Sequence, residues 1–276
     1  MNRTTPPRAA ASPGSVPFRW REYRRLLRAR LERAARPTDF DLRAYLGSPL
    51  PVLGVAAADL RAIARQLKSE HPHLAPAVLR SLAAGLWRGP SFEERSLALL
   101  IVADQLPKLG AAAWTLTDRW VDDATGWGLC DSLAGGPVAE MVAASPARLR
   151  SLLGWTRSTN LWRRRAALYA LNRLVRAGRL TESLRVIDRL LEDREFWVQR
   201  AVGTWLRECG KKDERRIRRY LLQNASRLYP VAITVATERA TPAFRAELRS
   251  RAARAGRRRN SRSPPVSADR ARPVRS

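Results

Sequence analysis

Trp127 and Asp131 stand four residues apart in a stretch that reads as helix. An indole and a carboxylate therefore share one face, one turn apart. That pair suits a cation with apolar area, since the ring face and the negative charge both attract it. Arg165 takes the corresponding face one repeat later, where its guanidinium could hold a phosphate. Together the three describe a site for a cationic group attached to a polyanion. Alkylated purine in DNA is such an object, because alkylation at N3 or N7 leaves a positive charge on the base. A plainer reading stays open: Asp131 caps a helix or pairs with a nearby arginine, and the aromatic residues are core.

A repeat positions these residues. Aromatic side chains fall at Phe92, Trp127, Trp162 and Trp197, at intervals of 35 residues. Three places later come Arg95, Cys130, Arg165 and Arg200, and four places later Ser96, Asp131, Ala166 and Ala201. Three of the last set are small. A carboxylate among them is costly unless it is solvated or hydrogen-bonded. Each copy opens a helix, and a second apolar helix such as Leu184–Leu191 follows it. A hairpin of this length cannot bury its apolar face alone, so copies stack. The expected class is all-α: an α-solenoid, or superhelix, of HEAT-like repeats with a concave basic surface.

Further helices are expected at Phe18–Ala35, Asp59–His71, Ala75–Trp87 and Phe92–Leu109, from apolar positions at helical spacing. Pro37, Pro72, Pro76, Gly89-Pro90 and Gly110 punctuate them. Val231–Val235 has β-branched character, but Pro230 before it suits a helix start equally well.

Charge supplies the second line of argument. The 276 residues hold 52 Lys and Arg against 25 Asp and Glu, a formal charge of +27. Only four of the cations are Lys, and so many Arg can partly reflect the base composition of a gene. Residues 251–276 carry +8 and residues 1–17 carry +2, both among Pro and Ser, and read as disordered tails. Residues 18–250 keep +17, so the folded domain expected there is basic in its own right. Nucleic acid is the cheapest partner for that charge and an anionic membrane the rival. No apolar run of transmembrane length occurs, and the first 17 residues lack the apolar core of a secretory signal. Cys130 and Cys209, with no C-x-x-C, leave neither a disulfide framework nor a zinc ribbon. A cytoplasmic, nucleoid-associated protein with reduced thiols is expected.

At this point the chain resembles the HEAT-like repeat DNA alkylation repair glycosylases, the AlkD family, over roughly residues 40–240. The residues that carry the resemblance are Trp127-Gly-Leu-Cys-Asp131, Asn160-Leu-Trp-Arg-Arg-Arg165-Ala-Ala, and Glu195-Phe-Trp-Val-Gln-Arg-Ala-Val-Gly203 leading into Leu206-Arg-Glu208. A weaker likeness lies at Tyr45-Leu-Gly-Ser-Pro-Leu-Pro-Val-Leu-Gly54. The resemblance implies excision of cationic N3- or N7-alkylated purines from duplex DNA, without metal or organic cofactor. It implies that Asp131 is the catalytic carboxylate, that Trp127 flanks the lesion and that Arg165 anchors the backbone. Arg207 and Lys211 would contact phosphate, and Tyr45 would lie along the groove. Trp162 and Arg200, at equivalent repeat positions, join the expected DNA-binding set. One departure stands out. The family pattern places a second Trp directly after the glycine that is Gly203 here, whereas this chain has Thr204 and then Trp205. One residue turns a helix side chain by about 100°, so Trp205 could substitute for that Trp only if the helix rotates or starts differently, and the lesion site is altered otherwise.

Other groups carry less. His71-Pro-His73 lacks a third metal ligand. Glu93-Glu94 and Asp122-Asp123 suit helix starts and Arg partners. Gly135-Gly136 lacks a P-loop continuation. The expected protein is a monomer bound to alkylated double-stranded DNA and not to membrane. The alternatives are a HEAT-repeat DNA-binding protein that has lost excision, or a scaffold for an acidic protein.

Overall fold

A computed structural model describes residues 18–36 and 38–260, with side chains to residue 254. Helices account for nearly all regular structure. Among the described residues there is no strand, only an isolated bridge between Ala35 and Val55. The helices are α1 (Trp20–Ala34), α2 (Leu42–Leu46), α3 (Ala57–Glu70), α4 (Pro76–Trp87), α5 (Phe92–Asp104), α6 (Leu106–Leu109), α7 (Ala111–Asp123) and α8 (Trp127–Leu133). There follow α9 (Ala139–Ala144), α10 (Pro146–Trp155), α11 (Leu161–Tyr169), α12 (Asn172–Arg176), α13 (Leu180–Asp188), α14 (Phe196–Gly210), α15 (Glu214–Gln223), α16 (Pro230–Ala236) and α17 (Pro242–Asn260).

The repeat is real in three dimensions. Phe92 and Trp127 are the first residues of α5 and α8, and Trp162 and Trp197 the second residues of α11 and α14. Val231–Val235 is helical, as the preceding Pro230 at the first turn allows. The segment Phe92–Leu109 is split at Gln105 into α5 and α6. The last helix continues to Asn260, so the boundary expected at residue 250 is corrected: 251–260 is helical backbone. The tails expected at 1–17 and beyond 260 lie outside the described residues.

The chain divides into two compact units. Of the described residues, one unit holds 18–36 and 38–40 with Leu50–Gly110, and the other Asp41–Pro49 with 111–260. In the first unit, Leu27, Leu31, Leu82, Leu86 and Leu97 are fully buried between α1, α4 and α5. Its paired acids are structural. Glu93 accepts hydrogen bonds from the amides of Leu53 (2.9 Å), Gly54 (2.9 Å) and Val55 (3.4 Å). Ser91 caps α5 by accepting from the Glu94 amide, and its hydroxyl donates to the Glu94 carboxylate. The Ser91 side chain is thus the N-cap that fixes where the helix begins. His71 packs edge-on to Phe18 and Tyr23, each ring centre 4.8 Å away.

In the second unit, α8, α11 and α14 pack in succession, and α14 packs on α16. Ala166 and Ala201 are fully buried, as small residues at these crossings should be. Gly203 is required where α14 meets α16, since a Cβ there would sit 2.7 Å from the Ala232 carbonyl oxygen. This succession of helices carries the site.

Candidate active site

Asp131 lies on α8 and Arg165 on α11. The Arg165 Nε donates to one Asp131 oxygen and Nη2 to the other, both at 2.7 Å. Such a two-point fork fixes the plane of the carboxylate as well as its distance. Nη1 of Arg165 donates to the Trp197 carbonyl at 2.5 Å, and Nη2 also to the Tyr169 hydroxyl at 3.1 Å. The guanidinium lies 4.7 Å from the centre of the Tyr169 ring and 5.7 Å from that of Trp197. Arg165 is thus almost entirely enclosed, with 3% of its side chain exposed, while 15% of Asp131 is exposed.

Of the two sequence readings for Asp131, the pairing with a nearby arginine is realised. The contact of Arg165 with a DNA phosphate stands beside this pairing as a proposal. Arg165 points into the protein and is spent on a carboxylate, a carbonyl and a phenol, because a buried cation requires such partners. Burial is the largest influence on Asp131 and raises its pKa above the ordinary value; Arg165 and the Tyr169 hydroxyl pull it back in part. Burial works to discharge Arg165, but Asp131 outweighs it, and the guanidinium stays charged. Arg165 occupies two of the roughly four lone-pair sites of the carboxylate. The Tyr169 hydroxyl bonds to the carboxylate as well, and what is left can take a ligand or a water.

Tyr45 and Trp127 form the next part of the wall. Trp127 Nε1 donates to the Tyr45 carbonyl at 2.6 Å, and the rings meet edge to face at 5.1 Å. Two glycines permit this approach. Gly47 ends α2 in a left-handed conformation, φ 60°, and Gly126 precedes α8 with φ 88°. A Cβ on Gly126 would collide with the Gly47 carbonyl. The short α2 segment is thereby pressed against the start of α8, which seats the exposed Tyr45 ring beside the indole.

A cleft of about 450 Å³ runs past these groups. Tyr45, Trp127, Asp131, Trp197, Arg200 and Thr204 line it, together with Arg165, Tyr169 and Arg207. Seven of the ten site residues singled out in the sequence therefore meet in one place: Tyr45, Trp127, Asp131, Arg165, Arg200, Thr204 and Arg207. Arg200 is exposed and has no acidic partner among the described residues.

The other three, Trp162, Trp205 and Lys211, do not line it. Thr204 lines the cleft, and the adjacent Trp205 does not: it is buried, edge-on to Tyr169 at 5.6 Å. The turn of about 100° per residue sends consecutive side chains to different neighbours. Trp162 is half-buried and packs on Trp197 at 6.2 Å outside the cleft wall. Arg207 reaches the cleft but pairs with Glu208 and Glu238, and Lys211 pairs with Glu208 at 2.6 Å. Their charge is already shared with carboxylates rather than free for phosphate.

Sequence reasoning missed Tyr169. It stands four residues after Arg165, on the same helix face, which is the signal that could have found it. Its pKa is raised by burial and by the Asp131 charge, so the hydroxyl keeps its proton. Cys130 is fully buried, which raises its pKa well above the usual thiol value and removes it as a nucleophile. The neighbouring arginines are structural too: Arg163 pairs with Asp118 and Asp122, and Arg164 with Asp193. Among the described residues no group of three His, Cys, Asp or Glu could hold a metal ion, and no helix is long and apolar enough to cross a membrane.

A family model described as DNA alkylation repair enzyme matches residues 27–240. No curated protein gives a significant match. Among solved structures, a predicted DNA alkylation repair enzyme from Enterococcus faecalis is 18% identical, with 73% of this chain and 93% of that one covered and a TM-score of 0.65. AlkD2 from Streptococcus mutans is 19% identical, with 80% and 98% covered and a TM-score of 0.57. At such identities the likeness is one of fold, the helical repeat.

Proposed function

This chain belongs to the DNA alkylation repair enzyme family, and we propose that it is a DNA glycosylase that excises cationic N3- or N7-alkylated purines from duplex DNA. The observation that carries the reading is a partly exposed carboxylate, Asp131, held in a fixed plane in a cleft walled by Trp127 and Tyr45.

Breaking the glycosidic bond of a cationic purine returns the bonding pair to the ring, and the base leaves neutral. Little acid assistance is needed. Positive charge develops instead on the sugar, as an oxocarbenium ion. The Asp131 carboxylate can stabilise that charge, and a fixed group does so without reorganising at the moment of reaction. A lone pair not used by Arg165 can accept a proton from the water that adds to C1′. Trp127 and Tyr45 offer aromatic surface to the cationic base. Arg165 and Tyr169 are positioning residues, which hold the carboxylate in one orientation. Arg200, unpaired and at the cleft wall, suits a backbone phosphate.

One observation favours a second reading. The two-point pairing with Arg165 offsets much of the Asp131 charge, as befits a DNA-binding protein that keeps the scaffold without excision. Duplex DNA carrying N7-methylguanine or N3-methyladenine decides between them. Release of free base by the native protein, lost in Asp131→Asn, is the expected result. Tight duplex binding with no release would establish the second reading. No binding at low salt would leave the acidic-protein scaffold.

A further inference from the structure

Behind the wall formed by Asp131 and Tyr169 lies a second cavity, of about 500 Å³. That size lies within the range of small-molecule sites. Trp205, Tyr169 and Val175 give it flat and apolar lining. The kinked segment Gly135-Gly136 contributes wall without side chains; at Gly136 a Cβ would meet nothing within 4 Å.

The charges at this cavity are unevenly matched. Arg176, Lys211 and Lys212 all line it. Lys211 is paired with Glu208, the acid of the same wall, and Asp131 is paired with Arg165. Arg176 and Lys212 are exposed and have no acidic partner among the described residues. By contrast Arg163, Arg164, Arg165 and Arg207 of the same unit are all ion-paired. Two uncommitted cations beside a flat aromatic lining match one kind of ligand: a planar ring joined to a phosphate.

We propose that this second cavity binds one unpaired nucleotide, with its base against Tyr169 and Trp205 and its phosphate at Arg176 and Lys212. Such a nucleotide comes either free from solution or displaced from a DNA strand at the neighbouring cleft. The strand-borne source rests on the DNA reading above, whereas the site itself does not. Planar bases bind aromatic side chains largely without regard to sequence, and the phosphate adds charge-assisted hydrogen bonds from Arg.

The test uses the fluorescent base 2-aminopurine, which is quenched by contact with aromatic rings. The full chain is titrated with 2-aminopurine deoxyribonucleoside monophosphate, with the bare nucleoside, and with a duplex containing one unpaired 2-aminopurine nucleotide. Saturable quenching is expected, about tenfold weaker for the nucleoside than for the monophosphate. Arg176→Ala with Lys212→Ala should weaken it by a similar factor of about ten. Both residues are exposed, so the double variant should fold as the native chain does. Quenching in the duplex alone identifies the strand as the source, and quenching by the free nucleotide as well admits both. Absence of quenching in every arm overturns the site, and so does quenching that the double variant leaves unchanged. Base release from alkylated DNA is scored separately, so loss of the glycosylase reading and loss of this site are distinct results.

Discussion

Replacing Asp131 by Asn removes one charge and almost no volume, which isolates the pair at the centre of the site. In the native protein Arg165 gives two hydrogen bonds of 2.7 Å to this carboxylate and is 3% exposed. An Asn oxygen can accept one of them; its amide group would face the other donor. The guanidinium would then stay buried without a counter-charge, with one amide oxygen, the Trp197 carbonyl and the Tyr169 hydroxyl for partners. Breaking one side of a buried pair costs about 3–5 kcal/mol, and the lower end applies because Asp131 is partly open to water. About 3 kcal/mol corresponds to a fall in Tm of about 6–12 °C for a unit of this size. Base release should fall by about 10²–10³ if the carboxylate stabilises the sugar cation. Asp131→Leu combined with Arg165→Met removes both charges and should recover to within about 1 kcal/mol of native stability while remaining inactive. Thermal melting and single-turnover base release measure the two effects side by side. An Asp131→Asn protein that melts with the native one would refute the desolvated pair. Continued excision by the double variant, with neither charge present, would refute the chemistry.

Five further outcomes are expected. Base release should fall as pH is lowered, because the ionised carboxylate is the active form, with an acid limb above the ordinary Asp value of about 3.9. Tyr169→Phe removes a hydroxyl that lowers the Asp131 pKa, so this limb should move to higher pH with DNA affinity unchanged. Gly203→Ala should cost about 1–3 kcal/mol in denaturant unfolding, since its Cβ would lie 2.7 Å from both the Ala232 oxygen and the Val235 Cβ and α14 would have to move off α16. Arg200→Ala should reduce the salt dependence of duplex binding by about one phosphate's worth, a slope change of about 0.9. Arg207→Ala should reduce it less, since Glu208 and Glu238 already share its charge.

Sequence alone determined the elements and their phase. Four aromatic residues at a spacing of 35 marked four helix starts, because a repeated hairpin must place its apolar face in the same way each time. It also isolated Asp131 as the charged exception among small residues and set Trp127 beside it, since a separation of four is local to one helix. Partners from other helices were a different matter. That Arg165 turns inward to Asp131, that Thr204 rather than Trp205 faces the cleft, and that Glu208 and Glu238 claim Arg207 and Lys211 were decided by packing. The physical reason is that an arginine side chain is long, flexible and carries five donors. Its position in the sequence sets where it starts, and only the carboxylates, carbonyls and rings brought near by neighbouring helices settle where its charge comes to rest.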